Sequence, residues 1–452
     1  MANLALLERE VSNSSSNLYV EDLVQKTAAK SALISSDWLV SLRRKASLAL
    51  AHRALPSRRE EEWLFTDLSD LLRVSFSADV AGEMAPATLA QFVLPETAHS
   101  RLVFVNGHYR PHLSDTAALP REIYVGNLAG LSPAQQETVA TYLAQQGEQG
   151  EFFTALNTAG LVDAAIAWLP KETVVESPIH FLFITVASPT PALLQPRVLV
   201  IAEANSQATL VESYGVVTHN CSDVPQKMPY LNNAVTEICL GENAQIFQVR
   251  NQRDSGDGFH LATTVISQAQ NSRYSLVDVN LGSHLCRHNL EVWQQGSSTE
   301  TNLWGLTAIA GRQVADTHSA IYLRHPQGQT RQLHKCIADD YAQGVFSGKI
   351  FVPQAAQMTN AAQLNRNLML SPKARINTKP QLQITADNVK CSHGATISQL
   401  EADEIFYLQS RGLNDTNARH LLIDAFAGEI FEQIPLNSLR QRLEQCVACR
   451  TL

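Results

Sequence analysis

The chain has 452 residues, 45% of them hydrophobic and 17% charged, with a formal net charge of −8. This places it among globular folds of two or three structural units and argues against a basic nucleic-acid footprint. No apolar run is long enough to span a bilayer, and the acidic residues Glu8, Glu10, Glu21 and Asp22 near the start argue against a leader peptide. Seven irregularly spaced cysteines at 221, 239, 286, 336, 391, 446 and 449 suggest free thiols in a reducing cytoplasm rather than a disulfide framework.

In chain order, the first section (1–164) reads as mainly helical. Apolar residues recur at helical intervals over Leu4–Val11 and Asp37–Leu55, with Pro56 ending the second helix. The charged run Ser57 to Glu62 is expected on a solvated face, with Trp63 and Phe65 as anchors. Leu102–Val105 and Ile123–Val125 read as short strands. Ser132 before Pro133 marks a helix start, so Pro133–Gln145 is predicted helical, as is Phe152–Thr158.

From Ala165 the texture becomes β-rich, and the second section is placed at 165–396. Short strands are predicted at Ile179–Ile184, Arg197–Ala202, Ala208–Ser213, Val235–Leu240, Ala244–Val249 and His260–Ser267. They continue at Ser272–Val279, Asn289–Gln294, Thr299–Leu306, His318–Leu323, Gln343–Phe351 and Gln381–Thr385. Turns of one style separate them: Ala204-Asn205, Glu242-Asn243, Gln270-Asn271, Gly296-Ser297 and Gln327-Gly328. A recurrence in the range of a solenoid repeat, without intervening long helices, favours a stacked β-helix over a doubly wound sheet; a large sandwich is the alternative. The last section (397–452) turns helical over Gln399–Ser410, closed by Gly412. A second helix puts Ala418, Leu421, Leu422, Ala425, Phe426 and Ile430 on one face, and a third follows Pro435.

Cys391-Ser392-His393 is the most chemical stretch. In extended backbone, residues two apart face the same side, so a thiol and an imidazole address one small volume. That pair suits an iron, zinc or cluster ligand set, or a thiolate beside an imidazole; a packing thiol and a structural histidine are the plain alternatives. Arg331, His334 and Lys335 form a basic stretch, more often structural than functional, and Arg287 and His288 are equally open. Cys446 and Cys449 make a lone Cys-x-x-Cys, weak as a zinc site.

Several ordered motifs resemble the SufB/SufD family of the SUF iron–sulfur cluster assembly machinery. They are Arg331-Gln332-Leu333-His334-Lys335, Val345-Phe346-Ser347-Gly348-Lys349-Ile350, Asn365-Arg366-Asn367-Leu368-Met369-Leu370-Ser371 and Thr378-Lys379-Pro380-Gln381-Leu382. Ala386-Asp387-Asn388-Val389-Lys390-Cys391-Ser392-His393-Gly394-Ala395-Thr396 and Ile405-Phe406-Tyr407-Leu408-Gln409-Ser410-Arg411-Gly412 complete the set, with the Glu-Glu-Trp segment upstream. The Cys-Ser-His-Gly-Ala-Thr form is similar to the SufD branch. The resemblance implies a right-handed parallel β-helix between helical ends and a heterodimer with SufB through the β-helices; alone, the chain is expected to form a homodimer. It also implies docking of SufC, an ABC-type ATPase, on the C-terminal helices, where Ile405, Phe406, Tyr407, Arg411, Leu421 and Phe426 are the candidates. His393, with Cys391, would share transient iron or a nascent cluster with SufB. The role implied is a non-catalytic scaffold without a stable cofactor, nucleic acid or membrane. The chain has no Gly-x-x-x-x-Gly-Lys-Ser/Thr loop of its own for ATP. The rival readings are a β-helical carbohydrate-active enzyme and a metal-binding interaction protein without an ATPase partner.

Overall fold

The computed structural model describes residues 19, 21–27, 36–78, 80, 82–145, 151–218, 225 and 228–450. The expected helix Leu4–Val11 and Cys221 lie outside them.

The core is a β-solenoid of about eight turns. From Arg197 onward its strands alternate between two sheets. One sheet holds β1 (Arg197–Ala202), β3 (Tyr230–Leu240), β5 (Phe259–Gln268), β7 (Leu285–Gln294), β9 (Val314–Leu323), β11 (Gln343–Val352) and β13 (Arg375–Ile384). The other holds β2 (Gln207–Val216), β4 (Gln245–Arg253), β6 (Arg273–Leu281), β8 (Glu300–Ile309), β10 (Gln329–Ala338), β12 (Asn360–Met369) and β14 (Lys390–Gln399). Neighbours within each sheet are parallel and in register. The N-terminal strands Arg101–Val105 and Ile179–Thr185 extend the second sheet, and Ala165–Leu169 and Tyr124–Asn127 the first.

The recurrent turns explain the stacking. Asn205, Asn243, Asn271, Ser298, Gln327 and Met358 all have φ between 57° and 65°, a left-handed conformation that Asn tolerates best. Each donates its backbone N–H to the next rung, as from Asn243 to Gln270 O (3.0 Å) and from Met358 to Asn388 O (2.7 Å). The corner is thus one left-handed residue repeated once per rung.

Alternation along each strand sends every second side chain inward. Much of the interior is aliphatic: Leu210, Ile238, Ile266, Leu276, Val292, Leu303, Ile321 and Ile350. The remainder is polar and fully buried. Arg250 Nη1 lies 2.8 Å from Asp278 and Nη2 2.7 Å from His260 Nε2, and His288 Nδ1 is 2.8 Å from the other Asp278 oxygen. His260 Nδ1 is 2.8 Å from Asp254, and Tyr214 and Gln248 donate to Glu212. Burial would raise Asp278, but the His288 and Arg250 charges hold its carboxyl far below the usual range.

Polar inward residues are why β10 and β12 escape the sequence reading. β10 and β12 turn Gln332 and His334, and Gln363, Asn365 and Asn367, inward, so no apolar alternation marks them. β14 continues to Gln399, and the helix expected from Gln399 begins at Ala402.

Helices cover the outward faces of the two sheets. α1 (Asp37–Ala51), α2 (Pro133–Ala140, with a Ser132–Gln135 capping box) and α3 (Phe152–Ala159) cover the N-terminal rungs. α4 (Ala402–Ser410), α5 (Asp415–Phe431) and α6 (Asn437–Arg450) follow β14. They do not lid the last rung. Ile423, Ala427, Ile430, Phe431, Leu439, Leu443 and Val447 instead pack on the outward face of the second sheet, against Val211, Val249, Val277, Leu306, Ile337 and Leu368. The buried stripe of α5 therefore runs through Ile423 and Ala427, not Leu421 and Leu422: Leu421 is 48% exposed.

Candidate functional site

The last rung is open. β13 and β14 each pair on one side only, so their far edges present unpaired backbone donors and acceptors. Inward-pointing positions that lower rungs would bury are uncovered here, with Ile397 47% and Ile384 38% exposed. A solenoid end of this kind needs a cap or a partner.

Cys391 and His393 sit on that edge. Cys391 stacks over Ala361 and His393 over Gln363, both buried on β12, so the two side chains take the inward side of the final rung as the spacing predicts. Cys391 is half-buried against the aliphatic core, and burial pushes its thiol up, partly offset by a backbone hydrogen bond at Ala361. This is a resting thiol rather than a pre-formed thiolate. His393 is exposed. Among the described residues no group of three or more His, Cys, Asp or Glu is placed to hold a metal. The pair is a partial donor set with open positions.

The basic stretch of β10 does not act as one cluster. Arg331 faces outward and is exposed. His334 points inward, stacked on Phe346 at 4.9 Å, and burial lowers it to about 4, so its imidazole is neutral. Lys335 is buried beneath α5, 2.6 Å from Glu429, 2.6 Å from Phe426 O and 4.6 Å from the Phe426 ring. Arg287 and His288 likewise separate: Arg287 faces out to Asp316 and the Trp63 ring, and His288 faces in to Asp278.

The docking candidates divide in the same way. Phe406 (71% exposed), Tyr407 (57%), Arg411 and Leu421 are at the surface, with Arg411 over the Tyr407 ring. Ile405 is buried and Phe426 is engaged by Lys335. Cys239, Cys286 and Cys336 are buried thiols whose pKa values burial raises, Cys336 to about 12. Cys446 is half-buried and Cys449 exposed.

A feature that the sequence reading underestimates lies beside the open end. The Glu61–Trp63 segment is a strap whose carboxylates are solvated, as expected, and are also ion-paired. Trp63 is buried beneath the Arg287 guanidinium at 3.9 Å. Glu61 pairs with Lys379 of β13, and Glu62 with Lys349 and with His318 Nδ1 at 3.1 Å. Thr66 Oγ1 donates to Asp316. Phe65, expected as an anchor, is 39% exposed. The signal available in the sequence is three carboxylates beside one Trp, complementary to the Lys349 and Lys379 motifs.

Comparison with known proteins identifies the family. Residues 183–426 match the family model described as SUF system FeS cluster assembly, SufBD core domain, and residues 14–181 match the SufBD protein N-terminal region. The chain is 60% identical over 414 residues to an iron–sulfur cluster assembly SufBD family protein of Synechocystis sp., covering 92% of this chain and 91% of the relative. It is 34% identical over 410 residues to the chloroplastic protein ABCI7 of Arabidopsis thaliana, covering 89% and 84%. It is 30% identical over 401 residues to the iron–sulfur cluster assembly protein SufD of Escherichia coli, covering 87% and 89%. Both family models and three near-full-length relatives lead to one conclusion: the chain belongs to the SufB/SufD family of iron–sulfur cluster assembly proteins.

Proposed function

We propose that this chain is a scaffold subunit whose open solenoid end pairs with a SufB-type solenoid, and that iron or a nascent cluster is held as cargo at the seam. The observation that carries the reading is the uncapped edge of β13 and β14 with His393 on its inward side. A second solenoid edge would continue the ladders and cover Ile384 and Ile397. His393 and Cys391 would then supply two donors of the roughly four a cluster needs, the remainder coming from the partner or from sulfide. A site completed only by assembly releases its cargo when the seam opens. The chain itself performs no catalytic step on this reading, and its place is the cytoplasm. ATP-driven movement would come from a SufC-type ATPase docked on α4 and α5 through Phe406, Tyr407, Arg411 and Leu421. Alone, the same edge would pair with a second copy. Family membership displaces the carbohydrate-active alternative.

The test is His393→Ala in a complex co-purified anaerobically with the SufB-type and SufC-type subunits. Iron and labile sulfide should fall by about half or more while subunit stoichiometry is unchanged; undiminished iron and sulfide would remove His393 from the site. Phe406→Ser with Tyr407→Ser should abolish ATPase capture and spare the solenoid pair.

A further inference from the structure

A second candidate site lies far from the open end. A cavity of about 140 Å³, partly open to solvent, lies where three parts of the chain meet: the segment Gln91–Leu94, the outward face of β2 and β4, and α6. Its lining includes two arginines, Arg253 at the end of β4 and Arg442 on α6. Arg442 donates to two backbone carbonyls, Gln91 O at 3.2 Å and Val93 O at 2.6 Å. Arg253 is half-buried, and its Nε is fully buried without a hydrogen-bond partner among the described residues. A buried guanidinium nitrogen left unpaired is costly.

Asn251 and Ser213 of the wall are committed. Asn251 Nδ2 donates to Ser213 Oγ at 2.7 Å, and Ser213 Oγ lies 2.8 Å from His180 Nε2, whose Nδ1 is 3.0 Å from Thr97 Oγ1. Burial, with the charges of Arg101 and Arg442, lowers His180 to about 3, so it is neutral. Glu96, the carboxylate that favours the charged form of Arg442, is itself held by the backbone N–H of Ser438 at 3.0 Å and by the Ser438 hydroxyl. Burial comes first in lowering Arg442, and the Arg253 charge adds to it. Two like charges thus share a small cavity, with one unsatisfied buried donor, Arg253 Nε, and no salt bridge to either guanidinium among the described residues.

We infer that this cavity binds one small oxyanion, a phosphate or sulfate, between Arg253 and Arg442. Guanidinium groups match oxyanions with charge-assisted hydrogen bonds, and the volume has room for one such ion but not for a nucleotide. The bound anion ties α6 to β4, and so fixes the C-terminal helices to the solenoid flank. The ligand is recognised by charge and donor geometry alone, so inorganic phosphate is an adequate probe.

The experiment is titration of the full chain with inorganic phosphate at constant ionic strength, read by calorimetry and by ³¹P line broadening. Wild type should bind one equivalent saturably and show a phosphate-dependent rise in Tm. Arg253→Gln should weaken binding by about tenfold or more and abolish the rise. Arg324→Gln, which removes a guanidinium stacked on Trp293 elsewhere, should leave both unchanged. Sulfate should compete. Arg442→Gln is a second variant, but it also loosens α6, so Arg253→Gln decides. No saturation at millimolar phosphate, binding by Arg253→Gln equal to wild type, or equal loss in Arg324→Gln would each overturn the inference.

Discussion

The strap over the open end has a pH-dependent strength that can be worked out from its partners. Glu62 is lowered from an ordinary 4.5 to about 2, first by the hydrogen bond from His318, with Lys349 adding and burial opposing. At 1.36 kcal/mol per pKa unit this is at most about 3 kcal/mol. Glu62 is 46% exposed, so solvent screening reduces it to about 1 kcal/mol. The sign follows from the depressed value: this stability is present above pH 4.5 and is lost as pH falls towards 2. His318 runs the other way. Burial alone would lower it, yet the Asp316 carboxylate, 2.9 Å away, raises it despite Arg287. Its contribution is complete below its unfolded value near 6.5 and is lost as pH rises through its higher folded value. The Glu62–His318 pair is therefore strongest between about pH 4.5 and 6.5. A double-mutant cycle of Glu62→Gln and His318→Gln, by urea unfolding, should give a coupling of about 1 kcal/mol at pH 5.5. At pH 8.5 the coupling should be smaller, while Lys349 continues to hold Glu62. Equal coupling at both pH values would refute the assignment of His318 as the charged partner.

Two further outcomes concern the interior. Asp278→Asn leaves Arg250 buried with Glu212 no nearer than 3.9 Å, so urea unfolding should report a loss of about 3 kcal/mol or more; a loss below about 1 kcal/mol would mean that water reaches this network. Gly305→Ala would place a Cβ 2.2 Å from His334 Nδ1, an overpacking expected to cost about 1–3 kcal/mol. Combining it with His334→Ala should recover part of that loss, and strictly additive losses would show that the two side chains do not meet.

What was legible in the sequence is the part governed by alternation and turn chemistry. The left-handed corner positions carry Asn at three of the rungs, and the intervening β-branched runs announce the strands, so the solenoid can be read from them. Where the interior turns polar, at Gln332 and His334 or at Asn365 and Asn367, the alternation signal disappears, although the backbone continues unchanged. The spacing of Cys391 and His393 correctly placed both on one side of one strand. It gave no information about which side or which rung, because that depends on register with β12. The α5 face was misassigned for a related reason. Leu421 and Ile423 are both apolar, and only the outward valines of the second sheet select Ile423 for burial. The strap was opaque because its partners, Lys349, Lys379 and His318, lie more than 250 residues away, a separation that no local pattern encodes.

The placement of the C-terminal helices links these observations. A helical segment directly after the last rung is well placed to cover it, and doing so would bury Ile384 and Ile397. This chain spends its helical apolar surface elsewhere: Ile423 through Val447 cover the outward valines and leucines of the second sheet, and α6 runs back until Arg442 meets the Gln91–Val93 carbonyls. Leaving the edge bare exposes two strands to aggregation, and the Glu61 and Glu62 strap reaches its rim through Lys379 and Lys349 without covering the ladder. An exposed edge beside helices that pack elsewhere, with the exposed imidazole of β14 on its inward side, is what the proposed pairing with a second solenoid would require. Substituting Ile397→Asp tests that economy directly. The side chain is half exposed in the lone chain, so its unfolding midpoint should move little, whereas a seam that buries it would meet an unpaired carboxylate and fail to form. Pairing that survives Ile397→Asp would place the partner surface elsewhere.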